Sequence, residues 1–369
     1  MPSNKVPVLR PLLPSAKRLL PYLERMDANR FYSNHGPLHD EFLERLSHHF
    51  SCDSNSVACA SSGTASITGG ILAVAGRASA ERPIALVPAF TFPGTALAAE
   101  LCGYRVNVAD VSAETWTLGP NMVRSMPNID RIGVVIPVAP FGRPVDLDDW
   151  KRFQDETGIP IVIDAAAGFE AIARDPGRYI SDMPVALSFH ATKSFSTGEG
   201  GCVVSRDREL IDRVTMSLNF GFMKSRETEV PGFNGKMNEY MAAVGLAEFD
   251  SWGEKQAALE GVGQMYQEAC ETRGIADKLT NTPQVCSSYM LFAADDAEEA
   301  RTVESNLDAA GIGFRHWYGP ALHQQKYFCH TGYTTCPVTD SLTDTLLGLP
   351  VTPDLDVETV SRICDQLVL

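Results

Sequence analysis

The sequence predicts an α/β protein, a large domain with a mainly parallel sheet between helices followed by a smaller C-terminal α+β domain. Three observations carry this expectation. Short, continuous apolar runs alternate with helix-period segments through residues 57–204, the pattern of strands covered on both faces. One run, Gly158 to Ile163, is closed by a carboxylate, Asp164, at the kind of strand end where ligands of such sheets collect. A long helix pattern beginning near Lys236 then leaves the sheet-forming region. The expected division is 1–240, with an N-terminal arm, and 241–369.

In chain order, the arm holds a helix from about Ser15 to Arg25 and a polar turn, Ser33-Asn34-His35-Gly36-Pro37. Leu38, Phe42, Leu46 and Phe50 recur every four residues, which predicts a helix over 38–50. A strand at 57–60 feeds Ser61-Ser62-Gly63-Thr64 and then a small-residue helix. Such a turn presents N–H groups at a positive helix end and suits a phosphate. Strands are expected at 84–88, 105–109, 133–138 and 159–164, with helices at 94–102 and 147–157. Two further apolar runs, 184–189 and 202–205, flank an irregular connection that holds Lys193. Gly198, Gly200 and Gly201 predict tight backbone there. A lysine held in such a loop is poorly hydrated, so its pKa falls and its free amine becomes a nucleophile. The stretch 221–232 reads as a mobile loop. Beyond the helix that starts near Lys236, helices are expected at 259–272 and 297–310, a strand at 288–293 and an extended segment at 313–318.

Composition narrows the partners. A formal charge of -15 with no basic stripe argues against nucleic acid, and an anionic small substrate would need local groups to hold it. No run of eighteen apolar residues occurs, and the opening M-P-S-N-K-V-P-V-L-R-P lacks the core of a signal peptide. No membrane partner and a cytoplasmic location are therefore expected. Nine cysteines are scattered without a C-x-x-C pair, which fits a reduced compartment. No metal is expected either, because Pro37 stands between His35 and His39 and spoils a helical pair.

A phosphate cradle at Ser62, Gly63 and Thr64, an aromatic after a strand at Phe92, an acid at a strand end and a lysine on a constrained loop together make a site for pyridoxal 5'-phosphate. That cofactor needs donors for its phosphate, a flat face to stack on, a carboxylate beside its ring nitrogen and an amine to carry it. Each part also has a plainer reading. Ser62-Gly63-Thr64 serves equally as a helix cap, Asp164 as the cap of the next helix, and Lys193 as a surface lysine on a hairpin.

Taken together, the motifs resemble the DegT/DnrJ/EryC1/StrS sugar aminotransferases, which are fold-type-I pyridoxal-phosphate enzymes. The resemblance spans nearly the whole chain. It is carried by S-N-H-G-P-L at 33–38, S-S-G-T-A at 61–65, P-A-F-T-F at 88–92, D-A-A-A at 164–167, S-F-H-A-T-K at 188–193, G-E-G-G at 198–201, G-F-N-G-K-M-N-E at 232–239 and P-A-L-H-Q-Q at 320–325. It implies that Lys193 carries the cofactor as a Schiff base and shuttles a proton, and that Asp164 pairs with the ring nitrogen. Phe92 would stack on the ring, and Gly63, Thr64 and Ser188 would bind the phosphate together with Asn234 from a neighbouring subunit. A homodimer with shared active sites follows. His190 would lie near the reacting sugar, although a packing histidine fits the sequence equally. Where the family places a polar residue that reaches the cofactor's phenolic oxygen, this chain has Ala167, so that contact is lost or replaced. Lys236 and Ala89 likewise stand in for the family's usual Arg and Ser.

The implied reaction moves an amino group from L-glutamate to a nucleotide-linked keto sugar, with a dTDP-4-keto-6-deoxy-hexose as first choice and O-antigen or other polysaccharide biosynthesis as the setting. A 3-keto sugar, an inositol-type ketone and a non-catalytic regulatory relative are the alternatives; the presence of both Lys193 and Asp164 speaks against the last. His35, Arg315, His316 and His323, with Lys326 beside them, are candidates for the sugar and diphosphate side, although solvation explains surface cations of this kind as well.

Overall fold

The computed structural model describes residues 5–280, 289–329, 332–333 and 335–369. Two helices come first, α1 (Ala16–Asn29) and α2 (Pro37–His49). Leu38, Phe42, Leu46 and Phe50 are all buried, as their four-residue spacing predicts. The α/β region follows as β1 (Val57–Ala60), α3 (Gly63–Val74), β2 (Ile84–Pro88), α4 (Pro93–Leu101), β3 (Arg105–Ala109), α5 (Pro120–Arg124), β4 (Ile132–Val135), α6 (Leu147–Thr157), β5 (Ile163–Asp164), α7 (Phe169–Arg174), α8 (Pro176–Tyr179), β6 (Val185–Ser188), β7 (Gly201–Val204) and α9 (Arg208–Leu218). Local chemistry sets several of these limits. In α6 the Asp146 carboxylate accepts the Asp149 N–H at 2.9 Å, and Gly158 ends the helix at φ 65°.

The strands form two four-stranded arrays, β1-β7-β6-β5 and a second in which β3, β2 and β4 run parallel. Bridges from Val135 to Ile161 and from Val138 to Asp164 join them into one sheet. The sheet is mainly parallel, as expected, except that β7 runs antiparallel to both of its neighbours. The strand anticipated over 159–164 is reduced to two residues. Pro160 has no N–H to give to a ladder, and only Ile163 and Asp164 pair with β6.

After α9 the chain runs through α10 (Glu239–Phe249), α11 (Trp252–Thr272), β8 (Tyr289–Ala293), α12 (Ala297–Ala309), β9 (Arg315–His316), β10 (Gly332–Tyr333), α13 (Pro337–Thr345), β11 (Leu346–Pro350) and α14 (Val357–Asp365). Helix α11 starts seven residues before the predicted 259, and α13, β11 and α14 were not anticipated. The expected strand at 288–293 holds from Tyr289, residue 288 lying outside the described residues. Of the segment 313–318 only Arg315 and His316 pair, with Gly348 and Leu347 of β11. Leu259, Val262 and Tyr266 of α11 form a separate apolar core with Phe292, Val303, Leu347 and Ile363. Val6 packs against that core and bridges to Ile312, so the start of the arm reaches the C-terminal half.

Strand β10 lies beside β3. Among the described residues no helix is long and apolar enough to cross a membrane, and no cluster of three or more His, Cys, Asp or Glu could hold a metal ion.

Candidate active site

The lysine loop joins β6 to β7 and is pinned along its length. Phe189 N–H donates to the Gly200 carbonyl at 2.8 Å, Ala191 N–H to Gly198 at 2.8 Å, and Lys193 N–H to His190 at 2.8 Å. Ser196 Oγ donates to the Phe189 carbonyl at 3.1 Å and accepts the Gly198 N–H at 2.9 Å. Gly198 takes φ 83°, a region that favours glycine. A Cβ on Gly201 would meet the Leu187 carbonyl oxygen and the Ser66 hydroxyl, each at 2.5 Å, so the close approach of β7 to α3 requires glycine there. Lys193 is half-buried on this loop, and burial holds its amine below the usual lysine range against the opposing pull of Asp164 and Glu170.

Asp164, 5% exposed, faces that amine. Its Oδ2 accepts from the Thr95 hydroxyl at 2.6 Å and its Oδ1 from the Ala166 N–H at 3.0 Å. Thr95 also shares a 2.7 Å hydrogen bond with Thr91. Burial raises the carboxyl's pKa, opposed by these two donors and by Lys193. Burial and the Asp164 charge raise the pKa of the Tyr318 hydroxyl, whose ring stacks on Phe141 with centroids 5.5 Å apart.

The N-terminus of α3 lies against the end of β6. Ser62 caps it, its Oγ accepting the Ala65 N–H at 3.1 Å, while Gly63 and Thr64 occupy the first two helical positions, whose N–H groups have no intrahelical acceptor. A Cβ on Gly63 would sit 2.7 Å from the Ser188 Cβ and 3.0 Å from its Oγ. The bare backbone therefore lies against the end of β6, and any side chain at 63 would fill the cradle. Phe92 caps α4 close by; a Cβ on Gly94 would lie 3.3 Å from both the Phe92 ring and Thr64 Oγ1. An anion cradle, a flat ring, a buried acid and a desolvated amine thus converge, and these residues fit the phosphate, ring and aldehyde of pyridoxal 5'-phosphate.

Residues 15–368 match the sequence profile described as the DegT/DnrJ/EryC1/StrS aminotransferase family. The chain belongs to that family. Among its relatives, Protein MT3510 of Mycobacterium tuberculosis (strain CDC 1551 / Oshkosh) is 29% identical, covering 97% of this chain and 88% of the relative. A dTDP-4-amino-4,6-dideoxy-D-glucose transaminase of Shigella dysenteriae is 27% identical, covering 98% of this chain and 97% of the relative. Of the solved structures, DesI with its TDP-sugar product superposes with a TM-score of 0.85 at 26% identity, covering 99% of this chain and 92% of DesI. This member of the DegT/DnrJ/EryC1/StrS family is a fold-type-I aminotransferase with pyridoxal 5'-phosphate as its cofactor.

The remaining sequence-predicted residues of this family member fall in different places. Phe92 is 59% exposed. His190 lies exposed on the lysine loop, its Nδ1 2.8 Å from Thr192 Oγ1 and its Nε2 3.7 Å from Glu199. Asn234 is exposed on the 233–237 segment and accepts from Lys236 Nζ at 2.7 Å. His35 packs edge-on against His39 with centroids 4.6 Å apart, and burial lowers its pKa to about 4. His316 departs from expectation. Its ring nitrogens lie 2.8 Å from Glu304 Oε1 and 2.8 Å from the Thr343 carbonyl, which fixes β9 to α12 and α13 and leaves neither for a sugar. His323 is buried against Asp340 at 3.1 Å. Arg315 is exposed with its guanidinium 5.6 Å from the Trp317 ring centroid, and Lys326 is exposed. Ala167 stands at the turn after β5 and offers no polar side chain.

Thr95, Tyr318 and Glu170 were missed. Thr95 follows Pro93-Gly94 and reads as an ordinary first-turn threonine; its four-residue spacing from Thr91 is the one signal that was present.

Proposed function

We propose that this chain transfers an amino group from L-glutamate to a keto sugar carried on a nucleotide, with a dTDP-4-keto-6-deoxy-hexose as the acceptor, in the cytoplasm and in service of a surface polysaccharide such as O-antigen. The carrying observation is Lys193, desolvated and facing a buried Asp164, beside the bare N-terminus of α3. The names of the Shigella dysenteriae transaminase and of DesI's TDP-sugar product support this acceptor class. A 3-keto sugar is the second reading, favoured by a Streptomyces venezuelae relative, a dTDP-3-amino-3,4,6-trideoxy-alpha-D-glucose transaminase at 28% identity over 76% of this chain.

When bound, pyridoxal phosphate supplies an electrophilic carbon and an electron sink. In this reading the N–H groups of Gly63 and Thr64 and the Ser188 hydroxyl hold its phosphate, with Asn234 of a second copy completing the cradle. Asp164 keeps a proton on the ring nitrogen, because its own charge is stabilised by Thr95 and Ala166 and needs a positive partner once buried. Phe92 covers one face. Lys193 supplies the amine that holds the cofactor and, once released, moves a proton to and from the carbon that gains nitrogen. His190, exposed on the lysine loop, would meet the sugar with its imidazole. Arg315 and Lys326, both exposed, are the candidates left for the diphosphate.

A homodimer accords with the exposed aromatics Phe31, Tyr32, Phe92, Phe220 and Tyr240. The test is a half-reaction screen. Protein loaded with cofactor should release 2-oxoglutarate from L-glutamate once per site, and the aminated protein should return to its starting spectrum with a dTDP-4-keto-6-deoxy-hexose. Reversal by a 3-keto sugar or a free cyclitol ketone alone would replace the acceptor.

A further inference from the structure

We propose that Glu170 is a positioning residue for the reactive amine, a buried carboxyl packed against the lysine loop that governs how readily Lys193 holds a proton. The proposal rests on the reading of Lys193 as the cofactor-bearing lysine. Helix α7 starts at Phe169, whose ring stacks on Phe195 of the lysine loop at 4.2 Å with planes 15° apart. Glu170, the next residue, faces Ser194 and Lys193 of that loop. Glu170 is 4% exposed, and its Oε1 has no hydrogen-bond partner, which is a costly state for a carboxyl with no assigned use.

The cations near it are engaged elsewhere. Lys255 of α11 donates to Glu248 of α10 and to the Leu12 carbonyl at 2.9 Å, and Arg174, on α7 itself, donates to Glu260 at 2.9 Å. The groups facing the carboxyl are thus Lys193 and Ser194 from the loop, Lys255 from α11 and Arg174 from its own helix. Burial raises its pKa to about 7 against the opposing pull of Ser194, its own backbone N–H and these cations. An ionised Glu170 holds positive charge on Lys193, and a neutral one releases it. The lysine therefore has two carboxyls around it, of which Asp164 also faces the cofactor and Glu170 acts from within the fold.

Cofactor-free wild type, E170Q and E170D are labelled with trinitrobenzenesulfonate across pH, and peptide mass spectrometry follows Lys193, with exposed Lys5 as internal reference. Half-labelling of Lys193 should fall by about one pH unit in E170Q, stay near wild type in E170D, and leave Lys5 unchanged. In the loaded protein, the pH midpoint of the long-wavelength absorbance should move the same way. An unchanged Lys193 midpoint in folded E170Q overturns the proposal. If circular dichroism shows that E170Q does not fold, S194A, which weakens the ionised carboxyl, should shift Lys193 in the same direction, and no shift there overturns it equally. Borohydride fixation of the cofactor to a lysine other than Lys193 would defeat the reading beneath the proposal, while the labelling result would still report on Glu170.

Discussion

At the scale of single residues, the site depends on buried groups whose partners are few. Thr95→Val keeps shape and removes the hydroxyl that Asp164 Oδ2 accepts from. It should cost about 1–3 kcal/mol in urea unfolding, because a buried acceptor is left unmade. Lys193→Ala should abolish borohydride fixation of the cofactor and lower the half-reaction rate by ~10³-fold or more, the range of a lost proton-transfer group. Glu170 gives a pH signature with a definite sign. Its folded pKa of about 7 lies above the ordinary 4.5, so its stabilising effect as the neutral acid is complete below 4.5 and is lost as pH rises through 7. E170Q should therefore match wild type at pH 4 and exceed it by about 2–3 kcal/mol at pH 8 in thermal or urea unfolding. A parallel pH dependence in the two proteins would contradict a buried carboxyl with a raised pKa. Lys193 and Asp164 were legible because a lysine between two apolar runs and an acid ending one are locally improbable. Thr95 and Glu170 were not, since each sits in a helical first turn where threonine and glutamate are ordinary and only the tertiary neighbour gives them a role.

At the scale of elements, the G-F-N-G-K-M-N-E segment is tied to the start of α2. Both oxygens of Glu239, 1% exposed, accept the N–H groups of Leu38 and His39 at 2.9 and 2.8 Å. A carboxylate at a helix N-terminus satisfies two orphan donors and meets the positive end of the dipole. Gly36 is required beside it, since a Cβ there would lie 2.2 Å from the Phe31 ring and 2.7 Å from the Glu239 carboxyl carbon. Glu239→Ala should cost about 2–4 kcal/mol and accelerate hydrogen exchange at Leu38 and His39, with the α7 amides unaffected. Equal protection in the variant would show that water replaces the cap. Helix and strand limits through residues 57–110 were readable because fully buried strands and small-residue turns alternate there without ambiguity. The C-terminal elements were not: β11 is a five-residue apolar run ending in proline, and α14 is nine residues long, lengths at which periodicity does not separate strand from helix.

At the scale of the whole molecule, the α/β class followed from alternation alone, while the antiparallel setting of β7 has no signature in its own four residues, Gly201-Cys202-Val203-Val204. The proposed shared site makes a direct prediction. K193A and N234A, each inactive or weak by itself, should recover part of the activity when mixed and allowed to exchange subunits, because one mixed site then holds both wild-type residues. Failure to recover, with mixed dimers demonstrated by mass, would place Asn234 outside the partner's site. The pairing of β7 with β1 carries a kinetic consequence. Val57 and Val204 are partners in register although about 150 residues separate them in the chain. The strand that clamps one end of the lysine loop can thus dock only after nearly all of the intervening sheet has been threaded, and a slip of one residue would turn its side chains to the opposite face. In refolding from denaturant, far-UV signal should return first and capture of the cofactor last, so that competence to bind it marks the end of folding.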